Sequence, residues 1–324
     1  MPLIRRLAAA CLLVLVVPGI GNGTAEAGPF SQLVVFGDSL SDVGNVYIAT
    51  GLSTGVPYPP APPYAPGRFS NGPIWIDDLA ASLGMPSPDP FLAGGTNVAV
   101  GGAESGSGYT VDGVPNLQTQ VGIYLSSLGG GAVDPGALYV LWAGSNDYLH
   151  GQTNPLIPSS NVAGAVAALA SLGATHFMVP NLVPLGDLPV AMNDPNPLVR
   201  PALNTLSAEH NLLLKQQLDA LSAAYPITIY QPDMHSLYLD IEANPAAFGF
   251  TNITSGALSD GDVGAAGYLY WDELHPTQAG HALIAAQAFT SIPEPSTMVM
   301  SSMLLGILGM VSSYRRFKKG TVAV

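Results

Sequence analysis

Short, largely apolar runs recur along this chain and set the pattern of its predicted secondary structure. Each run holds four to six residues and is followed closely by glycine, proline or polar residues; the runs are 33–36, 97–100, 137–142, 176–179 and 227–230. Runs of this length and character are typical of strands that are buried on both faces of a parallel sheet. The pattern therefore predicts five strands.

Longer segments between these runs carry apolar residues three and four positions apart, the spacing that lines one face of a helix. The predicted helices are 73–83, 116–128, 161–172, 198–225, 234–242 and 277–292. Residues 53–67, by contrast, contain six prolines and should form an irregular, partly extended loop. Strands that alternate with helices predict one α/β domain, a three-layer α/β/α sandwich around a parallel sheet.

The first 27 residues have the three parts of a secretory signal peptide. Two arginines precede an apolar run at 7–17, and residues 25–27 form an A-x-A cleavage site. The apolar run is too short for a transmembrane helix. Cys11, the only cysteine of the sequence, lies within it, so the mature chain should have neither disulfide nor thiol chemistry. We therefore predict an exported protein.

The other end of the sequence also has three parts in a fixed order. Pro293-Glu294-Pro295 precedes 19 uncharged residues at 296–314, and a basic cluster follows at 315–319. An apolar span of this length with a basic flank predicts a transmembrane helix whose basic end stays cytoplasmic. This order resembles the PEP-CTERM sorting tail of Gram-negative bacteria, which implies recognition and removal by a transpeptidase-like membrane enzyme. A plain C-terminal anchor is the alternative.

The charged residues exclude one class of partner. The sequence has nine basic and 22 acidic residues, but six of the basic ones lie in the two end segments. Residues 28–292 keep only Arg68, Arg200 and Lys215 against 20 acidic residues, a net charge of −17. Nucleic acid is bound by clustered cations, so no nucleic-acid partner is expected. With 48% hydrophobic residues, the chain can bury a sizeable core.

Polar residues follow directly after the first predicted strand, where the chain leaves the sheet. Asp38 and Ser39 occupy this position, and in open α/β sheets ligands bind beyond the carboxyl ends of the strands. Ser39 is therefore a candidate nucleophile. Gly37-Asp38-Ser39 is also ordinary turn chemistry, or the cap of a following helix, so this motif alone leaves both interpretations open.

A serine nucleophile needs a base, a carboxylate that orients the base, and donors for the oxyanion. Asp272 precedes His275 by three residues, a spacing that lets the carboxylate receive the Nδ1 proton and leaves Nε2 facing the serine. Gly101-Gly102 and Asn146 each follow a predicted strand, and they offer closely approaching amides and a neutral side-chain donor. Taken singly, each could instead be a turn residue or a surface pair, and Ser145 is a rival nucleophile.

Four blocks together resemble the GDSL family of the SGNH hydrolases. They are FGDSLSDVGN at 36–45, NVAVGGA at 97–103, GSND at 144–147 and DELHPT at 272–277. The resemblance covers about 30–289 and implies the SGNH hydrolase fold, with a five-stranded, parallel, flavodoxin-like sheet. It also implies the catalytic roles: Ser39 as nucleophile, His275 as base and Asp272 as orienting acid. The oxyanion donors would be the Ser39 amide, Gly102 and Asn146.

The leading interpretation is an exported serine carboxylic-ester hydrolase, a lipase or esterase that forms an acyl-enzyme. The alternatives are a polysaccharide acetylesterase at the cell surface and a catalytically idle surface or matrix protein. Expected partners are a small-molecule or lipid ester, the membrane before the tail is processed, and the sorting enzyme; no cofactor or metal is predicted. The expected domains are a signal peptide at 1–27, a hydrolase domain at 28–292 and a sorting tail at 293–324.

Overall fold

The computed structural model describes residues 30–293 and has a four-stranded parallel sheet at its centre. In spatial order the strands are Leu33–Gly37 (β1), Leu138–Trp142 (β2), His176–Met178 (β3) and Thr228–Tyr230 (β4). All three pairings are parallel, so the carboxyl ends of the strands lie at the same end of the sheet. The exits of β1 and β2 are therefore neighbours.

The prediction of five regular strands is wrong by one. Residues 97–100 do run beside the outer side of β1, where the amide of Val98 donates to Val35 O at 2.7 Å and that of Val100 donates to Gly37 O at 3.1 Å. They form only an isolated bridge with β1, because the amide of Gly37, which would extend the pairing, donates to the side chain of Gln120 instead at 2.9 Å. The order across the sheet is still that of a flavodoxin-like fold.

Helices cover both faces of the sheet. They are Asn45–Thr54 (α1), Trp75–Ser82 (α2), Leu117–Ser127 (α3), Ser145–Leu149 (α4), Leu156–Ser171 (α5), Pro189–Met192 (α6), Val199–Ala224 (α7), Met234–Ala243 (α8) and Gln278–Thr290 (α9). Short 3₁₀ helices occupy Phe91–Ala93, Leu185–Asp187 and Pro245–Phe248. The six predicted helices are confirmed within a few residues, whereas the short α4 and α6 and the weakly amphipathic α1 were not predicted.

Alternate side chains of β1 enter two separate cores, as the period of two in a strand requires. Leu33 and Val35 pack with residues of α2, α8 and α9. Val34 and Phe36 pack with residues of α3, α5 and α7. The three-layer α/β/α sandwich is therefore confirmed, and its two cores hold the end of β1 from both sides.

A second, smaller sheet was not predicted. Asn252–Gly256 (β5) pairs in parallel with Tyr268–Tyr270 (β6) at an irregular register. The β5 sequence NITSG is polar and mostly not buried, so it lacks the apolar run that marks the central strands. This sheet matters for the site because β6 leads directly into residues 271–277.

The two end segments lie outside the described residues. The predicted signal peptide at 1–27, the predicted transmembrane span at 296–314 and the basic cluster at 315–319 all belong to them. Between residues 30 and 293, no helix has both the length and the apolar character needed to span a membrane.

Candidate active site

The backbone at the end of β1 is fixed before the chain reaches Ser39. Gly37 has a φ of 154°, and a Cβ at this position would collide with the carbonyl oxygen of Trp142. Glycine is therefore required where β1 and β2 run together. The side chain of Gln120, on α3, accepts from Gly37 N at 2.9 Å and donates to Gly37 O at 2.8 Å. Ser39 thus extends from a tightly held turn.

Asp42 joins this turn to the loop that carries Gly102. Its buried carboxylate accepts hydrogen bonds from the amides of residues 44–46 at 2.6–3.1 Å, which caps the start of α1. A further bond comes from the amide of Gly101 at 3.0 Å. Burial raises the pKa of Asp42, and these amides oppose the rise. The carboxylate fixes the spacing between the Ser39 turn and the glycine loop.

Asp272 and His275 share one turn, between β6 and α9, and that turn faces Ser39. His275 Nε2 lies 2.8 Å from Ser39 Oγ. His275 Nδ1 lies 2.8 and 2.9 Å from the two carboxylate oxygens of Asp272. The three side chains therefore form one continuous hydrogen-bonded chain, and residues 236 positions apart in the sequence meet at Ser39.

The amides near Ser39 distinguish between the two glycines of the 101–102 pair. Gly101 N–H is occupied by Asp42, whereas the amides of Gly102 and Ser39 find no hydrogen-bond acceptor within residues 30–293. Asn146 Nδ2 donates to the carbonyl of Ala103, the residue after Gly102, at 2.9 Å. One hydrogen of that side-chain amide remains for another acceptor. Within the described residues the amides of Ser39 and Gly102 and one hydrogen of the Asn146 side chain are therefore unoccupied, and Gly102 is the free member of the glycine pair.

Two carboxyls flank the Ser39–His275 contact, the buried Asp38 and the partly buried Asp272, and their pKa values move in opposite directions. Burial raises the pKa of Asp38 to about 6, against the smaller effects of the Leu40 amide and of His275. Burial also acts upward on Asp272, but the hydrogen bond and charge of His275 and the amides of residues 274 and 275 outweigh it. The pKa of Asp272 therefore lies below its ordinary value. Asp272 is the carboxyl that stays ionised.

Residues 33–288 match the family model of GDSL-like lipases/acylhydrolases. The chain belongs to this family. The match spans most of the described residues, and it includes every predicted site residue.

Relatives of this GDSL protein include several named enzymes. It is 27% identical to the phosphatidylcholine-sterol acyltransferase of Aeromonas hydrophila, over 87% of this chain and 96% of the relative. It is 29% identical to a GDSL esterase/lipase of Arabidopsis thaliana, over 89% and 91%, and 28% identical to acetylajmalan esterase 2 of Rauvolfia serpentina, over 78% and 88%. Family and relatives together show that the protein is a hydrolase of ester bonds.

One solved structure with a similar arrangement is the acetylxylan esterase Axe2 of Geobacillus stearothermophilus. It matches this chain with a TM-score of 0.42 and 15% sequence identity, over 83% of this chain and 96% of that one.

A small cleft of about 60 Å³ opens above Ser39 and His275. Asn146 and Asp38 also line it, and the remaining lining is mainly aliphatic, from Leu40, Leu149, Val183, Leu185, Leu188 and Leu274. Ser145 lies in this lining as well, but the imidazole of His275 contacts Ser39. The rival nucleophile therefore has no base from the turn at 272–275.

Two aromatic contacts of the catalytic candidates were not predicted. Tyr64 OH donates to Asp272 Oδ2 at 2.8 Å, and the ring of Phe69 packs on the imidazole of His275 with centroids 5.2 Å apart. Both residues come from the proline-rich loop and the segment directly after it. A sequence offers no signal for such contacts beyond the presence of aromatic residues in an otherwise irregular segment.

Two other histidines are buried away from the cleft. His210, on α7, lies in the core, and its Nδ1 lies 2.9 Å from Tyr148 OH. Burial lowers the pKa of His210 to about 4 and that of His281 to about 3. Neither carries a carboxylate partner comparable to Asp272. His275 is the histidine whose surroundings suit proton transfer.

Proposed function

We propose that this GDSL hydrolase cleaves carboxylic esters through a covalent acyl-enzyme on Ser39. His275 Nε2 takes the proton of Ser39 Oγ as that oxygen bonds to the ester carbonyl carbon. The tetrahedral intermediate then expels the alcohol, which receives the proton from His275. Water, activated by the same imidazole, attacks the acyl-enzyme and releases the acid. No cofactor is required by these steps.

The single observation that carries this proposal is the hydrogen-bonded chain from Ser39 through His275 to Asp272. In this arrangement the carboxylate orients the imidazole and stabilises the imidazolium that forms when Ser39 loses its proton. The free amides of Ser39 and Gly102 and the side chain of Asn146 would stabilise the oxyanion. A catalytically idle role is not favoured, because these groups keep the contacts that the reaction needs.

The cleft supports an ester whose acyl group is apolar. Its walls are aliphatic, and the body of the chain carries a net charge of −17, which disfavours strongly anionic substrates. The small volume of the cleft, about 60 Å³, favours a short acyl group and thus makes an acetylesterase the second candidate. A polysaccharide could supply the acetylated alcohol, since the cleft opens at the surface.

A fluorophosphonate probe tests the nucleophile. Intact protein labelled with the probe should carry it on Ser39, and Ser39→Ala should lose both label and activity, because the probe reacts only with an activated hydroxyl. Peptide mapping of the labelled protein identifies the residue. Label on Ser145, or unchanged ester hydrolysis by Ser39→Ala, would refute the assignment.

The substrate class needs a separate experiment. Nitrophenyl esters from acetyl to palmitoyl, assayed beside an acetylated polysaccharide, give a profile of kcat/KM against chain length. A maximum at acetyl together with acetate release from the polysaccharide supports the acetylesterase. A maximum at longer chains supports a lipase or a long-chain esterase.

We also propose that the protein is exported and that its tail is a sorting signal. Supporting features are the three-part segment at 1–27 and the Pro-Glu-Pro, apolar and basic order at 293–319. Mass spectrometry of native material should find an N-terminus near Gly28 and a C-terminus close to 293–295. Secreted protein that retains residues 298–311 would contradict the sorting hypothesis and leave a plain anchor.

A further inference from the structure

We infer that Tyr64 is a positioning residue that holds the carboxylate of Asp272 in the plane of the His275 imidazole. The inference rests on the proposed function, because it concerns the acid of the same triad. Its basis is the hydrogen bond from Tyr64 OH to Asp272 Oδ2 at 2.8 Å, which joins residues 208 positions apart.

The two oxygens of Asp272 are held from different sources. Oδ1 accepts from the backbone amides of Leu274 and His275, each at 2.8 Å, and these donors belong to the same turn. Oδ2 accepts from Tyr64, and the imidazole Nδ1 lies within hydrogen-bond distance of both oxygens. The local turn therefore fixes one oxygen. Tyr64 adds a donor from outside the turn to the second oxygen, which further restrains rotation of the carboxylate about its last bond.

A tyrosine suits this position because it is a neutral donor. A cation beside Oδ2 would repel the imidazolium that forms on His275, whereas a phenol binds the carboxylate without adding a charge. Burial and the charge of Asp272 raise the pKa of Tyr64 well above its ordinary value, so the hydroxyl stays protonated and keeps donating. Arg68, which directly follows this loop, donates instead to both oxygens of Asp77, at 2.8 Å each.

Tyr64 is itself fixed against the turn that it serves. Its ring packs edge-on against Trp271, with centroids 6.0 Å apart, and Trp271 immediately precedes Asp272. The segment directly after the loop makes a second attachment, in which Ser70 Oγ donates to the carbonyl of Pro276 at 2.9 Å. The backbone amide of Ala65 donates to Ser70 O at 2.8 Å, which links the two attachments. The proline-rich loop therefore functions as a brace for residues 271–276.

The test compares two tyrosines of the same loop. Tyr64→Phe keeps the ring against Trp271 and removes only the hydroxyl, and we expect kcat to fall roughly 10- to 100-fold with little change in KM, from the loss of a hydrogen bond to a charged group. Tyr58→Phe is the matched control. Its ring packs on Phe69 at 5.8 Å, and its hydroxyl is not bonded to Asp272, so its kcat should stay within about twofold of wild type.

Two further measurements separate positioning from a general structural role. In the Asp272→Asn background, Tyr64→Phe should change kcat by less than about twofold, because the group through which it acts is already altered. The downfield proton resonance of His275 Nδ1–H should shift in Tyr64→Phe and stay unchanged in Tyr58→Phe. Melting temperatures of all variants check that the fold is retained.

The outcomes distinguish this inference from the proposed function. If Ser39 is labelled and required, but Tyr64→Phe keeps wild-type kcat and resonance, the positioning role is refuted and the triad stands. Additive losses in the double variant would likewise refute it, because Tyr64 would then act independently of Asp272. If Ser39→Ala keeps full activity, the proposed function itself fails.

Discussion

Two turns meet at the Ser39–His275 hydrogen bond, and each contributes one carboxyl to its surroundings. The pKa of Asp38, in one turn, and that of Asp272, in the other, move in opposite directions. The serine turn, residues 37–42, buries Asp38 with one hydrogen bond to its carboxylate, from the amide of Leu40 at 3.0 Å. In the histidine turn, residues 271–277, the carboxylate of Asp272 contacts two amides and the imidazole of that turn, and it also accepts from the phenol of Tyr64. The pKa of Asp38 is raised to about 6, and that of Asp272 is lowered.

This difference teaches that a direct hydrogen bond to the imidazole, rather than burial, decides which of these two carboxyls can serve His275. Burial acts upward on the pKa of both groups. At Asp272 the hydrogen bond and charge of His275 and two backbone amides outweigh that desolvation, whereas at Asp42 four amide donors do not, so the contact with the imidazole keeps Asp272 ionised. Asp38 lies close enough to line the same cleft, yet it lacks that contact with the imidazole.

The largest expected effect comes from neutralising Asp272. Asp272→Asn should leave the fold intact but lower kcat by about 10⁴-fold, because the imidazole loses the carboxylate that fixes its tautomer and stabilises its charge. Steady-state kinetics on a nitrophenyl ester measure the loss. If Asp272→Asn lowered kcat less than Asp38→Asn does, the comparison would be contradicted, because Asp38 would then be the carboxylate that serves His275.

Removal of a neutral donor at the same cleft, the side-chain amide of Asn146, should have the next largest effect on kcat. Asn146→Ala should lower kcat by roughly 10²–10³-fold with a small change in KM, as expected when one oxyanion donor is removed. This variant sharpens the comparison, because it measures what a neutral group contributes beside the charge held at Asp272. If Asn146→Ala kept the wild-type kcat, Asn146 would not be an oxyanion donor, and its role would be limited to the hydrogen bond with Ala103.

Stability should respond to Asp38 in a pH-dependent way. Its pKa in the folded protein, about 6, lies above the ordinary 3.8, so ionisation destabilises the fold as pH rises from about 3.8 through 6. The penalty at pH 7 is on the order of 3 kcal/mol. Asp38→Asn keeps an acceptor for the Leu40 amide and removes the charge, so it should raise the melting temperature at pH 7.5.

The control for this variant is the same measurement at low pH. At pH 4.5 the wild-type carboxyl is neutral in the folded state but ionised in most unfolded chains, so the gain from Asp38→Asn should shrink to about one third, on the order of 1 kcal/mol. An equal gain at both pH values would mean that packing, not charge, separates the two side chains. It would also contradict the raised pKa that distinguishes Asp38 from Asp272.

The smallest expected effect belongs to Gly102. An alanine methyl there would meet nothing closer than Val114 Cγ2 at 4.0 Å, so crowding costs little. The φ of 85° is the larger obstacle, with a strain of about 1–3 kcal/mol for a residue other than glycine. Gly102→Ala keeps the amide and should lower kcat less than Asn146→Ala does. A greater loss would make the backbone amide, rather than Asn146, the dominant oxyanion donor.

Much of the fold follows from the sequence because its signals are local. A run such as 33–36 can only be buried on both faces, and apolar spacing in 198–225 can only be one face of a helix. The edge strand at 97–100 failed for an equally physical reason: the side chain of Gln120 takes the Gly37 amide that would extend its pairing with β1, and no local pattern reveals a partner so distant in the sequence.

The candidate site divides in the same way. By itself the sequence determined Ser39 at the end of a buried run and the three-residue spacing of Asp272 and His275, since one turn encodes that geometry. Only the tertiary structure decided that Gly101 N–H is occupied and Gly102 N–H is free, and that Tyr64 reaches Asp272. Such contacts join chain segments that meet only after folding, so spacing along the chain does not reveal them, whereas the two amides and the imidazole that hold Asp272 lie within its own turn.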